Sequence, residues 1–152
     1  MKSIAPGVFV GTVTDIPGWK GRYIAAAKEP CHRQALQYTG RAAPKDHPEY
    51  LVALRGMGMI LNLVDGDSPD WIDKGMIQQA LDFICPAENT LIACNQGRSR
   101  SPSIALMWML QTRQIVAETF YEAEDLFKLL YPDYAPANGI RLFSKKFFEE
   151  LS

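Results

Sequence analysis

The run Cys94-Asn95-Gln96-Gly97-Arg98-Ser99-Arg100-Ser101 constrains this chain more than any other. It places a cysteine six residues before an arginine, with a glycine between them and Ser101-Pro102-Ser103 after. Thr90-Leu91-Ile92-Ala93 leads into it and reads as a short buried strand. Ile104 to Leu110 follows it, an apolar stretch long enough for a buried helix. Strand, tight polar loop and helix form a geometry that turns a row of backbone N–H groups toward an anion. Helix N-termini and nearby cations lower a cysteine pKa from about 8.5 into the range of roughly 3.5–7.5. A nucleophile at the floor of an oxyanion cradle, with Arg100 as a forked donor, suits attack on phosphorus.

Size and charge narrow the classes around that feature. The chain has 152 residues, 47% of them hydrophobic, which suits one domain spanning 1–152 with a single core. A formal net charge of −1 argues against a general binder of nucleic acid or membrane surface, so any electrostatic specificity must be local. No apolar run approaches the ~18 residues needed to cross a bilayer. Met1 to Gly7 carries one lysine but no continuous apolar core, unlike a secretory signal. Three cysteines, Cys31, Cys85 and Cys94, form no even disulfide framework, so a reducing cytoplasm is expected. There is no internal repeat, low-complexity tract or linker. Neither oligomeric state nor a specific partner is legible.

The remaining pattern predicts an α/β fold. Val8 to Val13 is β-branched and aromatic and predicts a strand. Residues 19–48 are the least regular and hold a basic surplus: Lys20, Arg22, Lys28, Arg33, Arg41 and Lys45 against Glu29 and Asp46. Within them, Ala25 to Gln37 includes a helix. His47 to Arg55 predicts a short helix stopped by Gly56 and Gly58. Met59 to Val64 predicts a buried strand emerging into the acidic loop Asp65-Gly66-Asp67. Ser68-Pro69-Asp70 has the chemistry of a helix start, with a serine cap and proline at the first helical position. Trp71, Met76, Ile77, Ala80, Leu81 and Ile84 give that helix its apolar face, and Pro86 lies beyond its end. Two amphipathic helices, about 116–130 and 138–151, close the chain. Strands interleaved with helices imply a three-layer α/β sandwich with a central, mostly parallel sheet flanked by helices. In such sheets ligands sit at the carboxyl ends of strands, where the acidic and cysteine loops both fall.

Individual roles follow from side-chain chemistry. Cys94 is the candidate nucleophile, its bland alternative being a buried structural thiol. Arg100 is the candidate phosphate clamp, because its planar fork binds two oxygens at once and lysine lacks that geometry. A merely solvated arginine fits poorly there, since a cation at a helix start opposes the dipole. Asn95, Gln96, Gly97, Arg98 and Ser99 complete the substrate-binding loop. Gly97 suits a positive φ or a close backbone approach. Arg98 either attracts acidic substrates or is simply solvated. Ser101 can donate its hydroxyl to the departing sulfur, cap the following helix, or do both in turn. A leaving alkoxide also needs an acid, for which Asp67 and Asp65 are the candidates and Asp70 the third. Asp-Gly-Asp before a helix is equally ordinary turn chemistry. No nucleotide-binding glycine motif or His-Glu-x-x-His occurs, and His32, His47 and Cys31 lack partners at zinc spacing, so no metal and no cofactor is expected.

From Cys94 to Ser101 the chain resembles the cysteine-dependent protein tyrosine phosphatases, whose signature is Cys, five residues, Arg, then Ser or Thr. The likeness points to the dual-specificity branch through Ile4 to Gly11 (its opening strand), Ala80 to Ile84 (the helix before the signature strand), and Tyr131-Pro132…Pro136-Ala137-Asn138 with Phe143 and Phe147. It covers most of the chain except about residues 17–57. The resemblance implies a phosphocysteine at Cys94, phosphate held by Arg100 and the loop amides, and Asp67 as acid and then base. Asp67 is selected because the family's acid lies about four helical turns ahead of the Phe83-Ile84 pair. Ala93 departs from the histidine usual before the cysteine. Ser101-Pro102, where lipid- and RNA-directed branches tend to carry Thr-Gly, mildly favours phosphorylated proteins as substrates. Two alternatives accompany this expectation, a rhodanese-like sulfurtransferase and a catalytically silent phosphate-binding module.

Overall fold

Thr90–Cys94 is buried at every residue, and such a continuous apolar strand belongs in the middle of a sheet covered on both faces. The computed structural model, which describes residues 1–151, puts it there. Six strands, β1 (Lys2–Ala5), β2 (Val8–Thr12), β3 (Arg22–Ala25), β4 (Val52–Arg55), β5 (Gly58–Leu61) and β6 (Thr90–Cys94), lie in the order β1-β2-β6-β3-β5-β4. The neighbours β2-β6, β6-β3 and β3-β5 run parallel, while β1 and β4 are antiparallel edges. The sheet is thus mixed, parallel at its centre and closed by a hairpin at each edge.

Alternation along the strands separates the two faces. Ile24, Ala26, Met59, Leu61 and Ile92 point into the main core, which α2 (Lys74–Phe83), α3 (Arg100–Gln111), α4 (Phe120–Leu130) and α5 (Asn138–Glu150) cover. Ala25, Ile60 and Ala53 face the other way, onto a small cluster under Cys31, Ala35 and Leu36. That second layer is one wide turn, Lys28–His32, continuing into the single-turn helix α1 (Arg33–Leu36). The three layers are therefore unequal. α3 is central: Ser101 to Leu110 are all buried, which explains why its sequence is apolar on every side.

Several expected boundaries are corrected. His47 to Arg55 is not a helix. Its last four residues form β4, which turns back through Gly56 (φ +57°) so that Arg55 pairs with Gly58. The glycines that looked like a helix stop are hairpin chemistry. A Cβ on Gly58 would lie 2.1 Å from the Tyr23 ring. Arg22–Ala25 is a strand, hidden from the sequence reading by the polar stretch around it. Ser68 caps only a 3-10 turn, Pro69–Trp71, accepting from the Asp70 amide at 3.2 Å. Asp73 caps the true helix α2, accepting from Met76 N at 2.9 Å. Trp71 accordingly lies off the apolar face, 66% exposed. The fourth helix starts at Phe120, not 116, because Thr119 accepts from the Glu122 amide and caps it. The basic surplus of residues 19–48 is largely spent on local struts: Arg22 pairs with Glu88, Arg33 with Glu29, and Lys28 donates to the Arg41 carbonyl. Among the described residues no helix is long and apolar enough to cross a membrane.

The end of the chain is anchored by a buried carboxylate. Glu124 on α4 accepts two bonds from Arg141 on α5, at 2.9 and 2.7 Å, and one from the Tyr134 hydroxyl at 2.6 Å. These bonds pin the Tyr131–Ala137 connection between the helices. Burial alone would push the Glu124 carboxyl up, but the bonds from Arg141 and Tyr134 outweigh it and hold the group below its ordinary value of 4.5. A lowered folded value contributes stability above the ordinary value, lost as pH falls through the folded one. Glu124→Gln should cost about 2–3 kcal/mol at neutral pH, discounted for the half-exposed Arg141. Urea titration between pH 7 and 3 checks this: the difference from wild type should shrink on the acid side.

Candidate active site

The strand β6 delivers Cys94 to its carboxyl end, and α3 begins six residues later at Arg100. The intervening loop must reverse direction tightly, which it does at Gly97 (φ +69°). The positive φ favours glycine, and a Cβ there would also crowd the Tyr131 hydroxyl at 3.1 Å and the Gly11 carbonyl at 3.2 Å. The Tyr131 hydroxyl donates to the Gly97 carbonyl at 2.5 Å. That bond fastens the loop to the connection between α4 and α5. The Arg98 carbonyl is fastened likewise, accepting from the Ala135 amide at 2.7 Å.

Within the loop the side chains divide into distinct tasks. The Cys94 Sγ is buried and lies 3.1 Å from the Ser101 Oγ, which is itself 3.2 Å from the Gly11 carbonyl. While that hydroxyl donates to Gly11, the thiol proton can donate to Ser101. Once the sulfur is ionised, the same hydroxyl can turn and donate to it. Arg100 donates through Nη1 to the Leu63 carbonyl at 3.0 Å and through Nη2 to Asn95 Oδ1 at 2.5 Å. Its Nε is buried and has no acceptor. Ser99 is also buried; it donates to Asp65 Oδ1 at 2.8 Å and accepts from the Ala137 amide at 2.8 Å.

These groups share one cleft of about 450 Å³. Cys94, Asn95, Gln96, Arg98, Ser99 and Arg100 form its floor and near side, Asp65 one wall, and Ala135 to Ala137 the other. The loop residues predicted from sequence are thus gathered around one space, Gly97 beneath them and Arg98 exposed at the rim. The acidic loop is divided. The carboxylate lining the cleft is that of Asp65. Asp67 is exposed, and its backbone carbonyl accepts from the Asn138 side chain at 3.0 Å. Asp70 lines a separate groove against α5. His32 is not a ligand of this cleft: Nε2 donates to the Glu49 carbonyl at 2.9 Å and Nδ1 accepts from the Tyr38 hydroxyl at 3.1 Å. Burial pushes its pKa down, so it is a neutral core histidine. Among the described residues no three His, Cys, Asp or Glu side chains group as metal ligands.

Sequence reasoning did not find the Ala135–Ala137 wall, the Tyr131 peg or the Ser99–Asp65 bridge. The Tyr-Pro…Pro-Ala-Asn run was visible as a turn, but its approach to the cysteine loop depends on the packing of α4 and α5. Burial pushes the Tyr131 hydroxyl up to about 12, so it stays a neutral donor at any working pH. Tyr131→Phe leaves the Gly97 carbonyl unpaired and should cost about 1–2 kcal/mol in urea unfolding. It should also weaken competition by inorganic phosphate for the cleft, read as protection of Cys94 from iodoacetate.

The fold matches solved phosphatase structures. DUSP15 aligns over 97% of this chain and 86% of its own, with a TM-score of 0.67 and 16% identity. Human DUSP28 aligns over 99% and 97%, with a TM-score of 0.58 and 17% identity. A human tyrosine phosphatase-like serine/threonine/tyrosine-interacting protein aligns over 99% and 97%, with a TM-score of 0.64 and 15% identity. No family model matches the chain, and no curated protein matches it by sequence. The chain has the dual-specificity phosphatase fold.

Proposed function

We propose that the protein is a phosphomonoester hydrolase of the dual-specificity or tyrosine phosphatase type, working through a phosphocysteine at Cys94. The buried Arg100 Nε with no acceptor carries this reading. A buried cationic donor without a partner is costly, and an oxyanion above the adjacent sulfur supplies what it lacks. The start of α3 favours the same charge.

In the first half-reaction the Cys94 sulfur attacks phosphorus in line with the ester oxygen. The S–P bond forms as the P–O bond breaks, and a carboxylic acid protonates the departing alkoxide or phenoxide. Arg100 and the amides hold the equatorial oxygens as charge redistributes. In the second half-reaction the resulting carboxylate takes a proton from water, which attacks phosphorus and releases inorganic phosphate. Ser101 donates to the sulfur as it leaves. We assign the acid to Asp65, whose carboxylate lines the cleft and is oriented by Ser99, in preference to Asp67, the position selected by the resemblance. Phosphorylated proteins are the proposed substrates and the cytoplasm the proposed location. The fold likeness favours phosphatase over sulfurtransferase chemistry, and a carboxylate in the same cleft as the sulfur favours catalysis over silent binding.

Wild type should hydrolyse p-nitrophenyl phosphate, and Cys94→Ser should abolish turnover while still binding phosphate. Asp65→Asn should lower kcat by about 10²–10⁴-fold on an alkyl phosphate, which needs the acid most. Asp67→Asn should have the smaller effect; the reverse order transfers the acid to Asp67. Inert wild type overturns the reading.

A further inference from the structure

Arg100 is held by a closed circuit of hydrogen bonds that leads out of the cysteine loop and back. Its Nη1 donates to the Leu63 carbonyl, and the Lys28 amide donates to that same oxygen at 3.0 Å. Its Nη2 donates to Asn95 Oδ1, and Asn95 Nδ2 donates to the Glu29 carbonyl at 2.9 Å. Lys28 and Glu29 are consecutive, so the peptide between them closes the ring. We propose that Asn95 is a positioning residue: its side-chain amide sets the plane of the Arg100 guanidinium and ties it to the Lys28–Glu29 turn. This rests on the phosphate-cradle reading above.

The amide side chain suits the task because it accepts on one atom and donates on the other. Oδ1 receives the arginine while Nδ2 reaches the carbonyl, which aspartate, serine or alanine at this position would not reproduce. Two anchors at the far nitrogens leave the Nε–H and one further N–H on each Nη for an oxyanion. A planar fork already fixed in orientation loses less freedom when two phosphate oxygens dock on it. The turn on the other side of the circuit is itself braced. Both Glu29 carboxylate oxygens accept from Arg33, at 2.7 and 2.8 Å, and Arg33 also donates to the carbonyls of Tyr38 and Gly40. The segment in which the family pattern disappears from the sequence is thereby a support for the catalytic guanidinium.

The circuit distinguishes Asn95 from its loop neighbours. Gln96 and Arg98 line the cleft, but no hydrogen bond joins either side chain to Arg100. Ser99 braces Asp65 instead. The position after the cysteine therefore acts through the arginine, and its effect should vanish when the fork is gone.

A double-mutant cycle tests this by calorimetric binding of inorganic phosphate in the Cys94→Ser background, where no covalent chemistry intervenes. Asn95→Ala should weaken phosphate about tenfold when Arg100 is present, the effect of one bond to a charged group. In the Arg100→Lys background, which keeps the charge and lacks the fork, Asn95→Ala should change affinity by less than about twofold. The urea midpoint should be unchanged, since Asn95 is exposed. Equal losses in both backgrounds overturn the inference, because Asn95 would then act independently of Arg100. Tighter phosphate binding by Asn95→Ala also overturns it, since the amide would then compete with the ligand. Should the parent bind no phosphate, the cradle itself falls and the inference with it. Phosphate binding by the parent beside inert wild type overturns only the hydrolytic reading, and the cycle still decides the role of Asn95.

Discussion

The Arg100 guanidinium imposes the constraint from which most of this structure can be understood. A cation at the first turn of a helix opposes the helix dipole, and one with a buried, unfilled N–H carries a further cost. Nothing in the packing of α3 needs it, because Ser101 to Leu110 already bury every face of that helix. Its retention makes sense if the helix start, the loop amides and the guanidinium converge on an anion that the protein itself does not supply. The surroundings are built to keep that fork in place: the Leu63 carbonyl from the loop just past β5, the Asn95 amide from the cysteine loop, and the Lys28–Glu29 turn behind both.

Around that centre the cleft is assembled from three separate stretches of chain, each held by groups whose own roles are structural. Tyr131 and the Ala135 amide fasten the Gly97 and Arg98 carbonyls of the cysteine loop. Ser99 joins the loop, the Asp65 carboxylate and the Ala137 amide in one set of bonds. The Glu124–Arg141–Tyr134 cluster then fixes the Tyr131–Ala137 connection from the far side. Tyr131, Tyr134, Ser99 and Glu124 are buried, so loss of a partner there strands a polar group. The cysteine loop is consequently rigid for reasons outside its own eight residues.

The two faces of the sheet carry unequal responsibilities. The main core under α2 to α5 is a conventional hydrophobic layer and accounts for most of the buried side chains. The opposite face carries a small cluster of Ala25, Ala53 and Ile60 under a turn and a single-turn helix. That thin layer is nevertheless the one that meets the guanidinium. Alanines there let the Lys28–His32 turn come close to the sheet, and the Arg33 bonds to Glu29, Tyr38 and Gly40 compensate for the small apolar area.

Sequence by itself determined whatever depends on local chemistry. Thr90 to Ala93 read as a short buried strand because it is apolar without alternation, and it forms most of β6. Gly97 suited a positive φ or a close backbone approach and has φ +69°, and the order Cys94, loop, Arg100, helix led to the expectation of an anion cradle, since spacing places backbone amides at a helix start. The α/β sandwich with a sheet parallel at its centre followed from the interleaving of strands and helices, while its antiparallel edges did not. Tertiary structure decided what depends on distant partners. Arg22–Ala25 is a strand because β5 and β6 lie on either side of it, and Val52–Arg55 is a strand because Gly56 turns it back onto β5, neither of which its composition announces. Asp65 rather than Asp67 lines the cleft because Ser99, 34 residues away, holds its carboxylate. Asn95 meets Glu29 across 66 residues. Such pairings are absent from any sequence window, because a hydrogen bond between remote segments is selected by how the sheet and helices pack and leaves no periodicity to read.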